Sequence, residues 1–276
     1  MNRKRACGQA TAATVLMMLA LQFAAPPAHA IEVASGLASL NRLCRSAIDH
    51  GDNDEALRTC HRVSNDAARL APGSKEHIAS LINIGDIKTQ VENFVDADTY
   101  YSAALALIEK ADGAQSPQAA ALLATLVETK VRRGKFLDAE LLMKRLLTTR
   151  EATAGAQDPE VALLRIRYAD LLTESHQFPE AELAYSAAVA VLADGGAATV
   201  TAYAMGVQHL AELYERRAQY QQAERQYRLL LQLVERNWPG SARLADTQDR
   251  LGYVRDQQDS RPGAPAPPVE NVNRSP

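Results

Sequence analysis

Positive charge is too scarce in this sequence for a nucleic-acid binder: thirty lysines and arginines stand against 33 aspartates and glutamates, a formal net charge of −3. Such a binder needs a concentrated cationic face, so nucleic acid is not an expected partner. Cysteine is scarce as well. The three present, Cys7, Cys44 and Cys60, form no CxxC, and the HxxxH spacing of structural zinc is missing too, so no metal is expected. Beyond residue 30 no apolar run approaches the roughly 20 residues that a bilayer-crossing helix needs. Catalytic signatures are missing: there is no phosphate loop, no GxSxG elbow, no HExxH helix and no paired-carboxylate cleft. Acids alone do not supply one, because an acid–base pair needs two unlike environments. The absences point away from an enzyme and imply no cofactor.

The first 30 residues are different in kind. Arg3, Lys4 and Arg5 precede an apolar stretch from Ala10 to Ala25 that contains VLMMLAL, followed by Pro26-Pro27 and Ala28-His29-Ala30. A basic start, a short apolar centre and small residues at −3 and −1 read as an export signal, residues 1–30, cut after Ala30. The stretch is short for a membrane span and is broken by Gln22 and the prolines, which disfavours an uncleaved anchor. Cys7 lies before the apolar stretch, a poor place for lipid attachment. Removing the three cations leaves 27 against 33 acids and a net charge of −6 for residues 31–276. The expectation is a periplasmic or secreted protein. At the other end, residues 259–276 carry Pro262, Pro265, Pro267 and Pro268 and little to bury, so a disordered tail is expected. Its APAPP segment is either a polyproline ligand or simply solvated.

What is present between these ends is a repeat. GAQSPQAA at 113–120 returns as GAQDPEVA at 155–162. The alanines Ala56, Ala97, Ala139, Ala181 and Ala223 are separated by 41, 42, 42 and 42 residues. Three residues before the last four stand Phe94, Phe136, Phe178 and Tyr220. Four residues after the five stand Cys60, Tyr101, Met143, Tyr185 and Tyr227. Twelve before them come Cys44, Gly85, Val127, Ala169 and Ala211, mostly small. Within a copy the apolar residues recur at helical spacing on either side of Gly134, so each copy is two helices joined by a tight turn. Ser116-Pro117 and Asp158-Pro159 pair a capping residue with proline at the first helical position.

These features resemble the tetratricopeptide repeat, in the 42-residue variety of kinesin light chains; LINIGDI, RRGKFLDAE and HLAELYERRAQYQQAE carry the likeness. The resemblance spans roughly Leu37 to Val254 and implies an all-α fold: a right-handed superhelical solenoid of about five antiparallel helix pairs over residues 31–258. SARLADTQDRLGYVRDQQ follows as a C-terminal capping helix. There are departures. No copy carries an early tryptophan, Gly85 stands at the small position, and the first copy lacks the turn aromatic. One helix pair cannot bury its own apolar stripe, whereas a stack makes a continuous core and a curved groove lined by the first helices.

Cys44 and Cys60 fall at two packing positions of the first copy. Helices packed about 8–10 Å apart bring such Cα atoms to roughly 4–5.5 Å, inside the disulfide range, so the pair is either a disulfide or two buried thiols. A metal site with His61 is disfavoured by the spacing. Projecting the family's groove onto this chain places Arg45, Asp86, Glu128, Asp170 and Glu212 just after the small position. Four successive acids then face one surface, either to attract a basic segment or only to keep the face soluble. Asn83 is placed to hydrogen-bond an extended backbone, and Arg132 and Arg216 to clip carboxylates. Tyr101, Tyr185, Tyr214 and Tyr227 read as core, and His50, His77, His176 and His209 as turn or surface residues. The functional expectation is a non-enzymatic protein–protein interaction scaffold or assembly factor that binds a protein or peptide in its groove. The alternatives are a self-associating structural protein and, less favoured, an enzyme with an unrecognised pocket.

Overall fold

The computed structural model describes residues 28–260, with side chains from residue 32 onward. Most of the expected export signal and the tail beyond residue 260 lie outside the described residues; the expected cut after Ala30 falls in the first turn of the first helix. Among the described residues there are eleven α-helices, one short 3-10 turn and no strand. The chain divides into two compact units, meeting between Asp112 and Gly113.

The first unit contains α1 (Ala28–Asp49), α2 (Asn53–Leu70), α3 (Lys75–Gln90) and α4 (Phe94–Asp112). The second contains α5 (Pro117–Arg132), α6 (Phe136–Ala154), α7 (Pro159–Glu174), α8 (Phe178–Ala193), α9 (Val200–Arg216), α10 (Tyr220–Asn237) and α11 (Ala242–Asp259). Each odd helix up to α9 packs against the even helix that follows it, giving two hairpins in the first unit and three plus a closing helix in the second.

The chain's own stop signals make these hairpins. Five residues before each repeat alanine the backbone turns left-handed: φ is 76° at Gly51, 58° at Glu92, 68° at Gly134, 59° at His176 and 54° at Ala218. The residue after each donates its N–H five residues back, Asp52 to Ala47, Asn93 to Lys88, Lys135 to Lys130, Gln177 to Leu172 and Gln219 to Tyr214, at 2.8–3.0 Å. All five first helices thus end in one cap, in which a left-handed residue lets the chain reverse while the last carbonyls stay satisfied. Starts are equally local. Ser74, Ser116 and Asp158 accept from the backbone of His77, Ala119, and Glu160 with Val161. Pro117 and Pro159 open α5 and α7 without sacrificing a helical hydrogen bond.

Packing explains the repeated small residues. Ala56, Ala97, Ala139, Ala181 and Ala223 are each the fourth residue of α2, α4, α6, α8 and α10, and each is completely buried. Cys44, Gly85, Val127, Ala169 and Ala211 are buried on the first helices. In the first unit Cys44 and Cys60 stand at disulfide distance across α1 and α2, with Cα atoms 5.3 Å apart. Gly85 leaves room for the ring of Tyr101 on α4. In the second unit one cluster runs from α7 to α11 through Ile166, Leu172, Leu192, Val207, Leu213, Leu230 and Val254. Burying such a side chain is worth about 1.5–3 kcal/mol, which no isolated hairpin collects on both sides. The stack supplies the missing neighbour.

Candidate functional site

The first helices of the second unit, α5, α7 and α9, repeat one register, and α11 follows them. Glu128 and Asp170 are each the twelfth residue of α5 and α7, and Glu212 is the thirteenth of α9. Their surroundings differ. Glu128 is 66% exposed at its side chain and touches Arg132 on its own helix at 3.3 Å. Asp170 accepts a 2.5 Å hydrogen bond from the Tyr185 hydroxyl on α8 and meets His209 Nδ1 of α9 at 2.8 Å. Glu212 accepts from Gln208 on the same helix at 3.0 Å. Arg216 at the end of α9 reaches Glu174 at the end of α7, 3.1 Å away.

In the first unit Asp86 accepts from the Tyr101 hydroxyl at 2.7 Å and pairs with Arg45 at 3.5 Å. Asn83 is only 8% exposed, and its Nδ2 points at Cys44 Sγ from 3.5 Å. Its amide therefore braces the cysteine pair, which leaves little of it to meet a partner.

A rule joins these contacts. The acid after the small position takes the hydroxyl of a tyrosine fifteen residues on, in Asp86–Tyr101 and again in Asp170–Tyr185. In the copy between them Met143 has no hydroxyl to offer, and Glu128 turns to Arg132 instead. In the last copy Tyr227 donates to Glu215, not Glu212, at 2.9 Å. Burial and the neighbouring carboxylates hold the phenols of Tyr101, Tyr185 and Tyr227 well above the ordinary tyrosine range. Tyr214, which donates to Glu182 on α8, is pushed up to about 12, mostly by burial and then by that bond. These tyrosines are fixed donors. Two of the four acids of the expected row are thereby committed to the fold.

Sequence reading missed the partners from the next helix along. His209 is a bonded inter-helix residue instead of a free surface one; the bond to Asp170 raises its pKa against the pull of burial, with Asp170 and Glu212 adding and Arg243 opposing. Arg243 of α11 donates to Gln208 at 3.0 Å, and Arg250 to Glu215 at 3.2 Å. The signal was a separation of 35–39 residues, one repeat less one or two turns, which pairwise inspection of charges overlooks. Among the described residues no group of three His, Cys, Asp or Glu could hold a metal ion, and no helix is long and apolar enough to cross a membrane.

A tetratricopeptide-repeat family profile matches residues 76–152. Those residues are tetratricopeptide repeats. The same helix-pair packing is found in TPR-like repeats of nearly identical sequence from a kinesin light chain assigned in Podosopora anserina, with a TM-score of 0.62 and 18% identity over 74% of this chain and 97% of that one. BtubC (BKLC) from P. vanneervenii is similar at a TM-score of 0.57 and 16% identity, covering 86% of both chains. A tetratricopeptide repeat protein from Parabacteroides merdae gives 0.55 and 18%, covering 82% of this chain and 78% of that one. Identities this low show a common fold. No curated protein matches the sequence. The packing of each helix pair accounts for the buried alanine and the small position in every copy, including the departure at Gly85.

Proposed function

We propose that this TPR chain is a non-enzymatic scaffold that holds a peptide segment or a partner protein against the first-helix face of its second unit. We place it in the periplasm or outside the cell, in the assembly of an envelope or secretion complex. The observation that supports the reading best is the register of α5, α7 and α9. They set Glu128, Asp170 and Glu212 at matching positions on successive helices, a ladder of polar groups at the repeat spacing. Such a ladder suits an extended chain, whose own groups also recur at regular intervals. Glu128 pairs with Arg132 and Glu212 accepts from Gln208, each on its own helix, so these are the acids left to meet a basic residue of the partner. The export reading rests on residues 1–30 and is consistent with the cysteine pair, since disulfides persist in oxidising compartments.

A photo-crosslinking amino acid placed at Glu128 or Arg216, and separately at the outer-face residue Leu183, tests this in the producing cell. Adducts to one protein partner from the inner positions and not from Leu183 are expected. No protein adduct from the inner positions would overturn the proposal. Self-association is the second reading, and Leu137, Leu141 and Leu183, each 70–73% exposed on α6 and α8, favour it. Light scattering on the wild type and on Leu137→Glu/Leu183→Glu separates the two, because only a self-associating chain loses mass in the variant.

A further inference from the structure

The second unit holds a cavity of about 340 Å³ whose lining includes none of the acids of the ladder. It opens among the first half of α5, the last turns of α6 and the start of α7, with one side chain from α9. Its walls are small or aliphatic: Ala120 and Ala124 of α5, Leu146 of α6, Leu163 of α7 and Met205 of α9. The alanines matter because they leave the space that larger residues would fill. Ligand pockets begin at about 300 Å³, so this one suits one or two side chains and not a whole cofactor.

Two guanidinium groups, Arg150 of α6 and Arg167 of α7, stand on the rim. Among the described residues neither side chain makes a hydrogen bond or ion pair. Their neighbour shows what a structural arginine does here. Arg165 is held by Glu151, at 2.7 and 3.1 Å, and by the Ala156 carbonyl at 2.8 Å, and so braces the α6–α7 loop. The two carboxylates on the rim do not neutralise the pair. Asp158 spends an oxygen on the first N–H groups of α7, and Glu160 forms no ion pair with either arginine. Guanidinium groups bind carboxylates through paired, charge-assisted hydrogen bonds.

We infer that this cavity is the specificity pocket for a partner segment that sets an aspartate or glutamate beside an aliphatic side chain, the carboxylate meeting Arg150 and Arg167 and the aliphatic group entering between α5 and α7. The inference deepens the scaffold reading and rests on it. Ala124 of the cavity wall and Glu128 lie one turn apart on α5, so a segment leaving the pocket along that helix passes from the arginines to an acid that the fold has not used. The partner is then acidic and aliphatic at the pocket, and basic further along.

The test is selection of a displayed, randomised dodecapeptide library on the full chain and on Arg150→Glu/Arg167→Glu, followed by titration of the selected consensus as a synthetic peptide. Wild-type protein should enrich peptides with an acid within a few positions of Leu, Ile, Val or Met, and the double variant should lose that preference. Changing the peptide's acid to its amide should weaken binding to wild type at least tenfold and to Arg150→Gln/Arg167→Gln hardly at all. Circular dichroism and melting check that both variants fold. A consensus without an acid, or one unchanged in the double variant, overturns the pocket while leaving the scaffold standing. No enriched peptide at all also overturns it. The scaffold reading is decided separately, by the crosslinks from Glu128 and Arg216.

Discussion

Ala218 holds a backbone conformation that its own Cβ resists. The left-handed region costs an L-residue roughly 1–2 kcal/mol, and glycine escapes that cost while adding about 0.4–1 kcal/mol of unfolded-chain freedom. Ala218→Gly is therefore expected to raise stability by about 0.5–1 kcal/mol, read as an increased urea midpoint with an unchanged slope. Gly134→Ala at the equivalent turn should move the midpoint the other way. Gly85 is glycine for another reason. A Cβ there would lie 2.5 Å from Cε1 of Tyr101, whose hydroxyl is anchored on Asp86, so the ring has little room to yield. Gly85→Ala should cost about 1–3 kcal/mol, the usual range for overpacking. Paired with Tyr101→Leu it should cost much less, and a double-mutant cycle gives the coupling directly.

Between elements, the Asp170–His209 contact ties α7 to α9 and makes their stack sensitive to pH. The folded-state pKa of His209 is raised, so protonation favours the folded chain. That contribution is fully present below the ordinary histidine value of about 6.5 and is lost as pH climbs through the raised folded value. Thermal melts taken between pH 6 and 8 should fall with rising pH more steeply in wild type than in His209→Gln. A different link joins α1 to α2. Cys44→Ala/Cys60→Ala should lose roughly 3 kcal/mol if the cysteines are bridged, by freeing the unfolded loop. The loss should appear as faster amide exchange in α1 and α2, and mass mapping without reductant should find the two cysteines linked.

The helices were legible in the sequence because the fold imposes the same demand five times: where two helices touch, only a small side chain fits, so Ala56, Ala97, Ala139, Ala181 and Ala223 recur. The turns were legible only where glycine fills them, at Gly51 and Gly134. Glu92, His176 and Ala218 hold the same left-handed conformation with residues that carry no such mark. The expected row of acids was legible as a register but not as chemistry, since a carboxylate's partner is set by the helix opposite. Tyr185 reaches Asp170, whereas Tyr227 reaches Glu215 one turn past the expected acid. Arg150 and Arg167 lie on two different helices, and nothing in their spacing announces a shared rim.

At the scale of the molecule, the two units bury their own cores and differ in how they are secured. The first carries the cysteine pair, and the second relies on a longer stack with polar rungs between neighbouring hairpins. The last helix sets the limit of that stack. Only Thr247, Leu251 and Val254 of the eighteen residues of α11 are buried, and Arg250 and Arg255 fasten it to Glu215 and Glu224. α11 is a lid with a wet exterior. Cutting the chain after Gly240 would strip the cover from Tyr227, Leu230 and Val234, and the naked hairpin would seek a substitute. Such a truncate should sediment as concentration-dependent multimers, and adding α11 back as a free peptide should dissolve them.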